Sequence, residues 1–317
     1  MNYNKLGKSG LKVSEIALGS WLTYGKSVDE NTSFKCIEKA YELGINYFDT
    51  ANNYNSGQSE IILGKALNKY ERESYVVATK GFHPQGKAPN QKGLSRKYIV
   101  EQVENSLRRL KLDYVDIWFC HKFDHETPLD ETLRAIDDLV TQGKILYPGV
   151  SKWTVTEMNM ALDISEKLGL DPIIVDQPLY NLLQRDIEQE IIPFCIDQGI
   201  GIVTFSPLAQ GLLTGKYHDI ENPPKGSRFQ INADSKFTKQ VFTRENIQYA
   251  QQLKEIADTK DCTLSQLSLA WVLQHSGISS TIIGASHPQQ IEENVKALEI
   301  EFTKTELAQI EEVSSNG

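Results

Sequence analysis

Four residues of unlike chemistry stand near the ends of three short apolar runs: Asp49, Tyr54, Lys80 and His121. The runs read NYFDTA over 46–51, YVVATKG over 75–81 and VDIWFCH over 115–121. Each has the near-continuous apolar character of a strand buried on both faces. An acid, a phenol, an amine and an imidazole delivered to one place make a proton-donating site. A free phenol has a pKa of about 10, too high for efficient donation near neutrality. An ammonium beside it favours the phenolate and lowers that pKa. Lys80 is expected to supply the ammonium, with Asp49 holding it charged and oriented. His121 is expected to hydrogen-bond a carbonyl oxygen. If hydride is the nucleophile, the reaction is carbonyl reduction, and in reverse it is alcohol oxidation. A Schiff base on Lys80 is the competing use of the same amine.

Such a site needs strands that end together. Apolar runs at 15–20, 46–51, 75–81, 115–121, 145–151, 173–177, 201–206 and 280–285 alternate with helical patterns. In 95–110, Ile99, Val103, Leu107 and Leu110 share one helical face. Thr127 and Pro128 are placed to cap and open a helix over 127–142. Thr154 with Glu157, Thr263 with Gln266 and Thr303 with Glu306 have capping-box spacing. Eight strands alternating with helices predict an α/β fold, a closed (β/α)8 barrel whose chemistry lies at the carboxyl ends of the strands. The hairpin-like segment 1–14 is expected to cap one end, and a last helix to close the chain. The 317 residues are read as one domain, with 207–243 as a long connection of the kind that serves as a lid.

A dinucleotide-binding open sheet should show GxGxxG after its first strand, and the sequence has none. Gly211, Gly215 and Lys216 imitate a phosphate loop, but the glycine spacing is one residue short and Tyr217 replaces Ser or Thr. The net charge of −9 comes from interspersed acids and bases without a basic block, which argues against nucleic acid and membrane surfaces as partners. No apolar run has the length of a membrane span, and residues 1–7 lack a secretory core. Cys36, Cys120, Cys195 and Cys262 are far apart, so a disulfide scaffold is not expected and a reducing cytoplasm is the default. Cys120 precedes His121 directly, and alternation along a strand turns it to the opposite face as a buried structural thiol. His121 and His125 lie four apart, but no third ligand is evident, and a metal site is set aside.

GINYFDTANNY over 44–54, followed by Ser59, Glu60 and Gly64, resembles the first signature of the aldo-keto reductases. LSRK at 94–97, SLRRL at 106–110 and YVDI at 114–117 resemble the second. GVSKW at 149–153, FSPLAQGLLTGK at 205–216 and the stretch 284–294 extend the likeness over essentially the whole chain. Within the family the chain is most similar to the branch that holds the β-subunits of voltage-gated potassium channels and their bacterial relatives. The resemblance implies a family tetrad at Asp49, Tyr54, Lys80 and His121. The channel subunits typically have Asn at the last position, and His121 here implies working reductase chemistry with Tyr54 as the acid.

The resemblance also implies NADPH extended across the barrel rim. Gly19, Ser20 and Trp21 would meet the cofactor, with Trp21 also walling the substrate pocket beside Tyr54 and His121. Ser151 and Gln177 would hold the carboxamide, with Lys152 alongside and Tyr180 stacking on the nicotinamide. Phe205, Ser206, Pro207, Leu208, Ala209 and Gly211 would cover the pyrophosphate. Lys216 and Arg228 would offer charge to phosphates or the adenine end, and Gly284, Ser286, Gln290, Glu293 and Asn294 would hold the adenosine end. Many members grip the 2′-phosphate with Lys or Arg in this last segment, where Gly284 and Gln290 stand here. NADP(H) is expected and NAD(H) is the alternative. The implied substrate is a small aldehyde or ketone with His83 or Trp153 adding to an aromatic rim, and a homo-oligomer is compatible with it. A redox-sensing subunit of a channel or complex is the second functional reading.

Overall fold

The computed structural model describes residues 1–315 apart from Leu22, Lys26, Asn232 and Asp234. The hairpin strands are β1 (Tyr3–Lys5) and β2 (Lys12–Ser14). Eight parallel strands follow: β3 (Ile16–Gly19), β4 (Tyr47–Asp49), β5 (Val76–Gly81), β6 (Val115–Cys120), β7 (Ile145–Ser151), β8 (Val175–Gln177), β9 (Gly201–Phe205) and β10 (Ile278–Ile283). They close in chain order, with β10 pairing both β3 and β9. All eight expected strands are present. The last begins two residues early, with an irregular register between Ile278 and Ser280.

The helices are α1 (Glu30–Glu42), α2 (Gln58–Leu67), α3 (Arg96–Leu110), α4 (Leu129–Thr141), α5 (Val155–Leu168), α6 (Ile191–Gln198), α7 (Arg228–Ile231), α8 (Lys236–Val241), α9 (Arg244–Thr259), α10 (Leu264–Leu273), α11 (Pro288–Val295) and α12 (Lys304–Ser315). Helix α3 buries Ile99, Val103, Leu107 and Leu110, the stripe read from its spacing. The capping boxes of Thr154 and Thr263 form as expected, and Thr303 exchanges the same pair of bonds with Glu306. Helix α4 is a correction. Pro128 is its cap residue rather than its first turn, and the Thr127 hydroxyl donates 2.7 Å to Asp124. An Asp three residues upstream outcompetes the helix for that hydroxyl.

Two apolar layers hold the barrel. The outer one packs the strands on the helices, and Cys120 lies in it, turned away from the rim as alternation requires. The inner one joins Ala17, Tyr47, Ala78, Ile117, Phe119, Val175, Val203 and Ile282. Leu6 and Val13 of the hairpin belong to that inner layer, so the hairpin plugs the amino-terminal end of the barrel. Gly7 makes this close approach possible. Its φ is +54°, and a Cβ there would lie 2.1 Å from the Gly199 carbonyl oxygen. The open end is therefore the carboxyl-terminal rim, where the four chemistry-bearing residues stand.

Candidate active site

Asp49 is the last residue of β4, Lys80 lies one residue before the end of β5, and His121 follows β6 directly. The register pairs Asp49 with Ala78 and Gly81 with Cys120, which levels these ends on one rim. Tyr54 opens a short 3-10 turn after β4, and Asn55 and Ser56 behind it have φ of 46° and 52°. Left-handed non-glycine residues are costly and cluster where a site dictates backbone shape.

Lys80 has no exposed surface, and its ammonium donates to Asp49 Oδ1 at 2.5 Å and to the Thr50 carbonyl at 2.8 Å. The other carboxylate oxygen of Asp49 accepts from Gln177 Nε2 at 2.9 Å. The ammonium lies 5.2 Å from the centre of the Tyr54 ring. That ring meets His121 at 5.8 Å in an edge-to-face arrangement, and His121 meets His83 at 4.7 Å. The structure thus gathers all four predicted residues and adds His83 as a neighbour.

The electrostatics differ from the sequence expectation at one point. Burial raises the Tyr54 phenol well above its ordinary pKa, and the Asp49 charge raises it further. Lys80, itself lowered by burial and bonded to Asp49, does not bring the phenol back down to its ordinary value. His121 is lowered well below the ordinary imidazole value, first by burial and then by Lys80, His83 and Lys152. It is neutral at pH 7, and its buried Nδ1 has no partner among the described residues. An unpaired buried nitrogen is costly, and a polar ligand group at the rim would satisfy it.

Side chains that single-residue reasoning missed fix the loop carrying Tyr54. Asn52 is wholly buried, and its amide donates to Gln102 at 3.1 Å and to the Tyr98 hydroxyl at 3.2 Å. Tyr98 in turn donates 2.6 Å to the His83 carbonyl. Helix α3 therefore braces two rim loops at once. The available signal was two consecutive asparagines after an apolar strand, more polarity than a simple turn needs. Glu60, also fully buried, accepts from Thr79 and Arg109 at 2.6 Å each and ties α2 to β5 beside Lys80.

On the other arc of the rim, Gly19 ends β3, and the buried Ser20 hydroxyl donates 2.9 Å to Thr50. Ser151 donates 2.8 Å to the Gln177 carbonyl, and Gln177 spends one amide hydrogen on Asp49. Lys152 has φ of 59° and places its ammonium 5.2 Å from the centre of the Phe205 ring. The loop after β9 is strained at Ser206, Ala209 and Gln210, all with positive φ, and turns at Gly211. Pro207 and Ala209 are buried and Leu208 is half-buried in that loop. Gln210 braces it, donating 2.9 Å to the Ser206 hydroxyl and accepting 3.2 Å from Arg228.

Lys216 and Arg228 have no carboxylate partner among the described residues. A Cβ at Gly211 would lie 3.6 Å from the Lys216 ammonium, and one at Gly284 would lie 3.9 Å from Arg228. The Arg228 guanidinium carbon is 6.0 Å from the centre of the partly exposed Trp21 ring. Burial holds this guanidinium below its ordinary value. Two such cations beside a strained loop fit an anion with several charges, as the phosphates of a pyridine dinucleotide have. At α11, Pro288 takes the first turn, and Gln290 accepts from both the amide and the hydroxyl of Ser286. Glu293 pairs with Lys296 on the surface and Asn294 is buried.

Two expected rim aromatics are corrected. Tyr180 is fully buried, donates 2.7 Å to Glu188 and packs on Trp271 at 5.2 Å, so it belongs to the core. Trp153 is buried edge-to-face on Phe123 at 4.8 Å. Trp21 stays partly exposed, and Phe205 at the end of β9 is half-buried and packed on the inner barrel layer. His125 lies 3.9 Å from Glu157, and the described residues contain no cluster of three or more groups able to hold a metal. No described helix is long and apolar enough to cross a membrane.

The family model of the aldo/keto reductases matches residues 15–315. A Schizosaccharomyces pombe protein, named provisionally as a voltage-gated potassium channel subunit beta, is 43% identical over 97% of this chain and 92% of its own length. Proteins of Arabidopsis thaliana and Oryza sativa with names of the same kind are each 39% identical over 95% of this chain and 92% of their own lengths. The closed eight-stranded barrel, the levelled rim and this match over nearly the full length agree, and the chain belongs to the aldo/keto reductase family of oxidoreductases.

Proposed function

We propose that this protein is an NADPH-dependent reductase of aldehydes and ketones in which Tyr54 is the general acid. The observation that carries the reading is the cluster of Asp49, Tyr54, Lys80 and His121 on one rim, with an unpartnered nitrogen on neutral His121. The whole chain works as one barrel domain, and the 207–243 connection covers the cofactor. Lys216 and Arg228 would hold its phosphates, Ser151 and Gln177 its carboxamide, and Phe205 would offer a ring face at the rim. Gly284 leaves its place to Arg228, which supports NADP(H) over NAD(H) by supplying a guanidinium at the adenosine end. When bound, the reduced nicotinamide supplies hydride to the carbonyl carbon.

The chain's own groups handle the oxygen. His121 is neutral, so one ring nitrogen carries a hydrogen that it can donate to the carbonyl oxygen without placing a full charge there. Tyr54 is held protonated by burial, and a developing alkoxide is a stronger base than a phenolate, so the proton passes from Tyr54 to oxygen. Lys80 lies against the Tyr54 ring and offsets the phenolate charge as it forms. Asp49 keeps that ammonium in place.

The names of the similar proteins favour a second reading, a cofactor-binding subunit of a channel complex with weak turnover. Titration with NADPH and NADH, followed by turnover of 4-nitrobenzaldehyde at 340 nm, tests both. Tighter binding of NADPH and steady turnover are expected. Tight binding with negligible turnover would favour the subunit reading, and binding of neither nucleotide would end both.

A further inference from the structure

The rim carries a second feature that acid–base chemistry leaves unused: two lysines and a histidine on one arc. His83 follows β5, Lys122 follows β6 and Lys152 follows β7. The register pairs Gly81 with Cys120 and Cys120 with Val150, so these three strand ends are neighbours. His83 lies edge-on against His121 at 4.7 Å, one ring away from Tyr54. Among the described residues none of these three side chains has a carboxylate partner. The carboxylates of this quarter are engaged elsewhere. Asp124 accepts from the Leu94 and Glu126 amides and the Thr127 hydroxyl. Glu126 lies 3.7 Å from Lys92, Glu157 caps α5, and Asp49 is held by Lys80 and Gln177.

The consequence is mutual repulsion. His83 is lowered by burial and then by Lys152 and Lys122, and Lys152 is lowered by burial and then by Lys80 and Lys122. A negative charge arriving among them would relieve that cost. The cofactor's phosphates have their own cations, Lys216 and Arg228, in the connection between β9 and β10. In the closed strand order that connection lies three or more strands from β6.

We propose that the carbonyl compounds taken by this site carry a carboxylate, and that Lys122 and His83 hold it at the pocket mouth while the carbonyl faces His121 and Tyr54. This rests on the reductase reading above. The carboxylate is unchanged in the reaction: the carbonyl carbon gains hydride, its oxygen gains the Tyr54 proton, and NADP+ leaves. Lys122 and His83 are therefore specificity determinants and are not reacting groups.

The test is a matched pair of aldehydes, 4-carboxybenzaldehyde and its methyl ester, with the full-length protein and saturating NADPH. The acid should have the larger kcat/KM by about tenfold at low salt, falling as salt screens the contact. Lys122 is exposed, so Lys122→Glu should fold normally, and it should bring the ratio to one or invert it. His83→Phe should lower the ratio several-fold through KM for the acid. Equal kcat/KM for the two aldehydes in the unmodified protein would overturn the inference and leave the reductase reading intact. A Lys122→Glu variant with an unchanged ratio and weaker NADPH binding would overturn it too, assigning the charge to the cofactor. Turnover of neither aldehyde would remove the reductase reading and this inference together.

Discussion

At the amino-terminal end of the barrel Arg72 bonds Asp116 at 2.6 Å, and at the opposite rim Lys80 bonds Asp49 at 2.5 Å. The two pairs look alike and are set in different company. Asp116 also accepts the Val77 amide, and Arg72 reaches the Tyr75 and Tyr114 carbonyls with its guanidinium on the Tyr114 ring. Hairpin side chains seal the barrel nearby. Lys80 has three hydrogens and two acceptors among the described residues, beside a buried imidazole nitrogen with none. Each end leaves a buried nitrogen without a partner among the described residues, Arg72 Nε at the sealed end and His121 Nδ1 at the open end, and only the second stands against the Tyr54 ring beside the buried lysine. In a barrel of this kind that asymmetry separates stability from chemistry.

Tyr54→Phe should have the largest effect of any single change at the open end. Loss of a general acid should cut carbonyl turnover by about 10²–10⁴-fold. Urea unfolding and NADPH binding should stay near those of the unmodified protein, because among the described residues no hydrogen bond of the Tyr54 hydroxyl ties the fold together. Undiminished turnover would remove Tyr54 from the mechanism.

Paired substitutions at the two ion pairs come next. Removing one partner of a buried pair leaves an uncompensated charge and costs about 3–5 kcal/mol. Arg72→Met should lie at or below the low end of that range, since Arg72 is partly exposed, and kcat/KM of the folded fraction should hold. Lys80→Met should lose stability and turnover together, leaving Asp49 with Gln177 alone. Urea titrations beside kinetics separate the cases. Equal catalytic loss in both variants would mean that the two ends do not differ as argued.

What could be read from the sequence follows the same division. The eight strands were legible because buried parallel strands leave apolar runs, and the capping boxes because they are local. Asp49, Lys80 and His121 were legible because strand ends place them, whereas the loop that brings Tyr54 to them is braced from α3 through Asn52. Tyr180 and Trp153 were misplaced because a ring's exposure is decided by distant partners such as Trp271 and Phe123. The Tyr54 phenol was expected to be acidified by Lys80, whereas the burial that raises it is a tertiary fact that no local pattern announces. The link from Ser206 through Gln210 to Arg228 spans 22 positions, with no periodicity to announce it.

Arg228→Gln tests the arc of the rim assigned to the cofactor. A lost charge-assisted bond to phosphate should weaken NADPH binding by about 10–100-fold. NADH binding should fall less if the guanidinium serves the 2′-phosphate, as its place beside Gly284 suggests. Fluorescence titration with both nucleotides reads the difference, and equal losses would move Arg228 to the pyrophosphate.

The smallest effect is proton linkage at His121. Its folded pKa is depressed by burial, Lys80, His83 and Lys152, so the ring resists protonation in the native state. An unfolded histidine takes a proton near pH 6.5. Below that pH the unfolded chain binds the extra proton, and stability must fall as the solution is acidified. One such group contributes at most about 1.4 kcal/mol per pH unit. His121→Asn does not titrate, so its stability should decline less steeply between pH 6.5 and 5 than that of the unmodified protein. His83 is depressed as well and remains in the variant, so part of the slope should survive. Urea midpoints at several pH values measure both slopes. Identical slopes would mean that the His121 ring takes up its proton in the native state and that the rim is wetter than its packing implies.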